Sequence, residues 1–140
     1  MVLVKDSANF GWLGWDQMQG QNVAALAYRV PIKQSSMRIE GGDIAAMVAF
    51  HELISALPDS GSVYRVTAEV EDIPQAMAFQ RMGSDAEYGP VAMSGEIYLL
   101  PVKTILCSTA GQILFQNQSE FRDYKKFGSE STITFPKDQN

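Results

Sequence analysis

The sequence predicts a single α+β domain: an antiparallel sheet with one main helix, over about residues 43–57, packed on it and a second short helix. Three observations predict this. Val63–Val70 alternates, with Tyr64, Val66, Ala68 and Val70 on one side and Arg65, Thr67 and Glu69 on the other, as in a strand with one buried face. Gly41-Gly42-Asp43 before an apolar run reads as a stop followed by a helix N-cap. Long helices do not alternate regularly with strands, which disfavours a doubly wound parallel sheet.

The elements follow in order. Residues 1–20 read as a flexible aromatic arm, because Phe10, Trp12 and Trp15 stand among glycines, which lower the chance of regular structure. Residues 21–136 form the domain and 137–140 a frayed tail. Val23–Ile32 reads as a strand limited by Pro31 to an edge or a strand end. Met37–Ile39 resumes extended structure. The main helix follows, with Ile44, Met47, Val48, His51 and Ile54 or Ser55 on one face and Phe50, Leu53 and Leu57 widening it. After the Val63–Val70 strand, Pro74 to Met82 is a short helix with Pro in its first turn. Gly83–Pro90 is a loop. Val91–Leu100 and Val102–Cys107 are two strands, or one long strand bent at Pro101. Ile113–Phe115 is a further strand, Phe121–Phe127 is helix or extended, and Thr132–Phe135 is a last strand.

Composition narrows the function. The chain has 140 residues, 46% hydrophobic and 19% charged, which suits one domain with one core. A net charge of −5 and a pI near 4.7 argue against nucleic acid or anionic lipid as a default partner. The single cysteine, Cys107, cannot form an intramolecular disulfide, which points to a reducing, cytoplasmic setting and an inert buried thiol. No run approaches ~18 apolar residues, and the start of the chain lacks the pattern of a signal peptide. Met1-Val2 also lacks the glycine that myristoylation requires.

Reactive chemistry is sparse, so no residue is assigned a catalytic role, no residue a metal and no cofactor is expected. His51 lacks a His-Glu-x-x-His partner, because Ser55 stands four residues on. Glu69, Glu71 and Asp72 cluster at a strand end, Glu69 and Glu71 on one face, and read as a solvated strand end. Asp85 with Glu87 reads the same way. In Arg122-Asp123-Tyr124-Lys125-Lys126, basic residues interleave with Phe121, Tyr124 and Phe127. Arg122, Lys125 and Lys126 are therefore the candidate contacts for nucleic acid or a membrane surface.

Two groups of residues resemble the matrix proteins of rhabdoviruses. Ala27–Ile32, Asp43–His51 and Ser62–Thr67 are similar to that family's strand, helix and following strand. Ser94–Leu99 with Ser119–Gly128 resembles its late strand and its Phe-Arg-Glu-Lys and Phe-Gly stretch. The resemblance implies an assembly protein that self-associates head to tail, an extended N-terminal segment engaging a neighbour. The family's lysine-rich arm and Pro-Pro-x-Tyr motif have no counterpart here, which puts lipid binding through an N-terminal arm in doubt.

The reading is a non-enzymatic, self-associating structural protein, possessed of matrix-like character, with Phe10, Trp12 and Trp15 as oligomer-interface anchors. Its partners are further copies of itself, with nucleocapsid or membrane as additional ones, and no small-molecule substrate is expected. Whether the aromatic arm folds back on its own domain or docks on a neighbour stays open. The alternatives are a ligand-binding domain or enzyme with a pocket between helix and sheet, using His51, Tyr64 and Glu69, and an adaptor whose edge strand pairs with a peptide.

Overall fold

The computed structural model describes residues 9–128. Among them there is no helix. The chain forms β1 (Asn9–Met18), β2 (Gln21–Val30), β3 (Arg38–Gly41), β4 (Ile44–Met47), β5 (Ala49–Ala56), β6 (Val63–Glu71), β7 (Arg81–Met93), β8 (Glu96–Ala110) and β9 (Ile113–Glu120). Seven of them make one antiparallel sheet in the order β1-β2-β5-β6-β7-β8-β9. The remaining hairpin, β3-β4, is inserted between β2 and β5. The expected α+β class is therefore corrected to all-β.

The main helix expected over 43–57 is the largest correction. Its residues form β4 and β5, and β5 lies between β2 and β6. A run apolar on nearly every side suits a strand covered on both faces as well as a buried helix, and periodicity alone does not separate them. Two strong strands flank this segment and offer it a ladder on both sides, which overrides the helix propensity of its Ala, Leu, Met and Glu residues. Gly41-Gly42-Asp43 is then a hairpin corner. Gly41 pairs with Ile44, and Gly42 takes φ +61°, a left-handed conformation that suits glycine.

The second helix is also absent. Residues 72–80 form an irregular connection with a turn closed by the Met77 N–H donating to the Pro74 carbonyl at 2.9 Å. Residues 83–90, expected as a loop, lie inside β7. Strand β8 runs on through Pro101, where Val102 is left without a Cα partner because Glu87 pairs with Lys103 and Tyr88 with Pro101. Phe121–Phe127 is irregular. The strand expected at Thr132–Phe135, the tail at 137–140 and the chain start read for targeting signals lie outside the described residues.

Residues 9–18, placed in the arm by the sequence, form β1 and hydrogen-bond to β2. The register slips between Trp12 and Gly14, where Gly14 has φ +140° and Leu13 bulges out. Gln19 and Gly20, at φ 51° and 76°, make the tight turn into β2.

The cross-strand register separates two faces. On one lie Arg29, His51, Glu69, Gly83, Cys107 and Gln116 in a row, with Leu53, Thr67, Asp85 and Ile105 in the next. On the other lie Tyr28, Glu52, Ala68, Ser84 and Leu106, flanked by Leu26, Ile54 and Val66 and by Val30, Phe50 and Val70. The core sits at one end of this second face. There Ile39, Val48 and Met77 are buried together, packed by Met37, Ile44, Val70, Ile73 and Met82. The hairpin β3-β4 and the connection through Met77 thus cap part of a single sheet layer.

Candidate functional site: an aromatic edge and a charged trough

Among the described residues strand β1 is an edge of the sheet, with one hydrogen-bonded neighbour. Phe10 pairs with Tyr28, Trp12 with Leu26 and Trp15 with Ala24, so all three aromatics stand on the same face. The bulge at Leu13 makes this possible, because without the added residue Trp12 and Trp15 would point to opposite faces. Trp12 and Trp15 meet edge to face at 5.3 Å. Phe10 packs on Tyr28 at 5.1 Å, and Tyr28 meets Phe50 edge to face at 6.4 Å. Phe10, Trp12 and Trp15 nevertheless remain 53%, 55% and 64% exposed. They brace one another without being covered.

Tyr28 closes the aromatic row with a hydrogen bond to the Glu52 carboxylate. Burial, then the hydrogen bond and charge of Glu52, push the Tyr28 phenol far above its ordinary value.

The opposite face is a shallow trough of about 530 Å³, lined by His51, Leu53, Glu69, Asp85, Ile105 and Cys107 among others. Its charges answer one another. The His51 ring nitrogen Nδ1 lies 2.9 Å from Glu71 Oε1, and Nε2 lies 3.8 Å from Glu69 Oε2. Arg29 donates to Glu71 at 2.5 Å, Arg81 donates to Glu69 at 2.7 Å, and Arg65 grips Asp85. Burial raises the Glu71 pKa, but hydrogen bonds from Arg29 and His51 outweigh it and hold the carboxyl below its ordinary value. The hydrogen bond to Asp85 raises the Arg65 pKa against the effect of burial. Gly83 leaves a gap in the row, and a Cβ there would lie 3.0 Å from the Ala68 carbonyl oxygen.

Of the residues expected to line a ligand pocket, His51 and Glu69 come together, while Tyr64 lies on the opposite face with its hydroxyl 3.5 Å from Gln21 Oε1. The pocket expected between helix and sheet has no helix to form it. Cys107, expected as a buried thiol, is half-buried in the trough wall. Glu69 and Glu71 share a face as strand alternation implied; the strand end is solvated at Glu69 and Asp72, and Glu69 and Glu71 are also ion-paired. Among the described residues no group of three His, Cys, Asp or Glu is placed to hold a metal ion.

The basic residues Arg122, Lys125 and Lys126 lie in the irregular segment after β9. Arg122 pairs with Glu120, and Lys126 reaches the Tyr98 hydroxyl at 2.8 Å and Glu96 at 3.5 Å. Lys125 is exposed. The segment continues in the direction of β9 along β8, with the Phe121 N–H donating to the Val102 carbonyl at 3.0 Å and the Tyr124 hydroxyl to the Pro101 carbonyl at 2.5 Å. Among the described residues no helix is long and apolar enough to cross a membrane.

The strand expected at Ile113–Phe115 runs on to Glu120 as β9. All eight of its residues are exposed, and it forms the other edge of the sheet. The signal was present in the run Ile113-Leu-Phe-Gln-Asn-Gln-Ser-Glu120, which carries no Pro, Gly or Lys. Comparison with known proteins finds no matching family model, no matching curated protein and no matching solved structure.

Proposed function

We propose that this chain is a non-enzymatic assembly protein, and that β1 engages a neighbouring copy through Phe10, Trp12 and Trp15. One observation carries the reading: the three aromatics project together from one face of an edge strand and are each more than half exposed. A large aromatic side chain has roughly 150–250 Å² to bury, at about 25 cal/mol per Å². Covering three of them in a contact therefore offers several kcal/mol, while leaving them wet gains nothing. Aromatic clusters of this kind are typical interface anchors. The strand lacks Lys and Pro, but the bulge at Leu13 and the charge of Asp16 interrupt its edge, so the aromatics and not an open ladder carry the contact.

The trough is the basis of the rival ligand-binding reading, and its volume is in the usual range for such sites. Its His, Arg, Glu and Asp groups are engaged with one another, which leaves neutral groups such as Thr67, Thr109 and Gln116 to orient a ligand. The basic segment is likewise engaged at Arg122 and Lys126, so the proposal does not route a contact with nucleic acid or membrane through it.

The test is molar mass against concentration by light scattering, for the full chain and for Trp12→Ser/Trp15→Ser. The mass of the full chain is expected to rise with concentration, with at least a tenfold weaker association in the variant. A full chain that stays monomeric at millimolar concentration overturns the proposal. Unchanged association in the variant removes β1 from it.

A further inference from the structure

We infer that the outer edge of β9 is a second self-association surface, where two copies join their β9 strands antiparallel about a two-fold axis perpendicular to the sheet. This rests on the reading of the chain as a self-associating protein and adds a contact distinct from β1.

Among the described residues no strand lies beyond β9, and its ladder is regular. β9 pairs with β8 from Ala110↔Ile113 to Lys103↔Glu120 without a register slip. β1, at the other side of the sheet, is bulged. An antiparallel edge strand presents a row of N–H and C=O groups outward, and such a row templates another strand unless charge, proline or a bulge blunts it. β9 has none of these before Glu120 at its end. The stretch of β8 that β9 does not reach is covered by the chain itself, through Phe121 and Tyr124.

Topology selects the partner and the symmetry. With seven antiparallel strands, β1 and β9 run in the same direction. A copy placed with its charged and aromatic faces on the matching sides therefore meets β9 through β1 only in parallel. Rotating that copy about an axis perpendicular to the sheet brings β9 against β9 in antiparallel register, with the two faces still matched. Antiparallel pairing is the slightly more stable kind, and a two-fold contact is self-complementary.

Charge placement selects the register. Facing residues must lie on the same side of the joined sheet, so one residue meets its own copy on the axis, and the two registers of greatest overlap centre on Gln116 or Asn117. With Asn117 there, Glu120 faces the partner's Leu114. With Gln116 there, Phe115 faces Asn117, Leu114 faces Gln118 and Ile113 faces Ser119. Glu120 then lies beyond the partner's Ile113 and faces no residue of its β9, and the two carboxylates are roughly 27 Å apart, against roughly 20 Å with Asn117 on the axis, at ~3.4 Å per residue. Gln116 and Leu114 also line the trough, so this register joins the troughs of the two copies into one groove.

Cysteine cross-linking tests it. Cys107 is directly opposite Gln116 within the chain, so the variants are made on Cys107→Ser to prevent an internal bridge. Two cysteines facing each other across the axis fall within the Cα separation that a disulfide spans. Gln116→Cys is expected to give a covalent dimer on mild oxidation, and Glu120→Cys none. A second variant, Gln116→Lys, sets two ammonium groups opposite each other on an exposed strand and is expected to weaken association at least tenfold. Failure of Gln116→Cys to cross-link, or equal cross-linking at both positions, overturns the β9 contact. If the full chain still gains mass with concentration in that case, the assembly proposal stands on other surfaces. A full chain that remains monomeric overturns both.

Discussion

At the residue scale, the charged face is a ladder in which each carboxylate has a cationic neighbour. Glu71 receives both Arg29 and His51, and its side chain is little exposed. The partners hold its folded pKa below the ordinary 4.5, so stability drawn from this carboxylate is whole above that pH. It is lost as pH falls through the depressed folded value. Unfolding in urea at pH 7 and pH 3 is expected to show a loss on acidification that is smaller in Glu71→Gln, which has no carboxylate to titrate. At pH 7 the substitution is expected to cost about 1 kcal/mol or less, as for partly exposed ion pairs. Alternation along Val63–Val70 made the shared face of Glu69 and Glu71 legible in the sequence. Their partners Arg29, His51 and Arg81 were not legible as such, because ion pairs across strands depend on strand order and register.

At the element scale, the legible elements are those whose pattern has one solution. β6 alternates cleanly, and β2 ends where Pro31 removes a ladder donor. β5 has two solutions, since its apolar run satisfies a buried helix and a central strand, and the decision rests on neighbours distant in sequence. β1 was obscured differently, Gly14 serving a bulge that aligns the tryptophans. If β4 and the Met77 connection cap the sheet as described, stability is concentrated there. Met77 is 4% exposed among Ile39 and Val48, so Met77→Ala is expected to cost about 2–5 kcal/mol through lost burial and a cavity. Leu53→Ala, at a half-exposed position in the trough, is expected to cost less. Denaturant midpoints at unchanged slope check the contrast. A main helix over 43–57 packed on the sheet would make Leu53 a core residue as well and remove the difference.

At the scale of the whole molecule, parity connects the two proposed surfaces. An odd number of antiparallel strands leaves two edges that run the same way, so with matched faces each edge pairs antiparallel only with its own copy. The argument made for β9 applies equally to β1, apart from the bulge at Leu13. A molecule with two different self-complementary edges does not stop at a dimer. It joins β1 to β1 and β9 to β9 in alternation, giving a ribbon or, if the curl of the sheet closes it, a ring. Separate loss of each edge should therefore leave a dimer. Trp12→Ser/Trp15→Ser is expected to stop at dimers joined through β9, Gln116→Lys at dimers joined through β1, and the combined variant at monomers, while the unaltered chain grows beyond a dimer. Mass against concentration in reducing buffer separates these cases. If either single change alone yields monomers, both edges belong to one contact, β1 of one copy against β9 of the next. That junction is parallel, or antiparallel with the faces inverted, so the aromatic row of one copy would then lie either beside the same face of its neighbour or beside its charged trough.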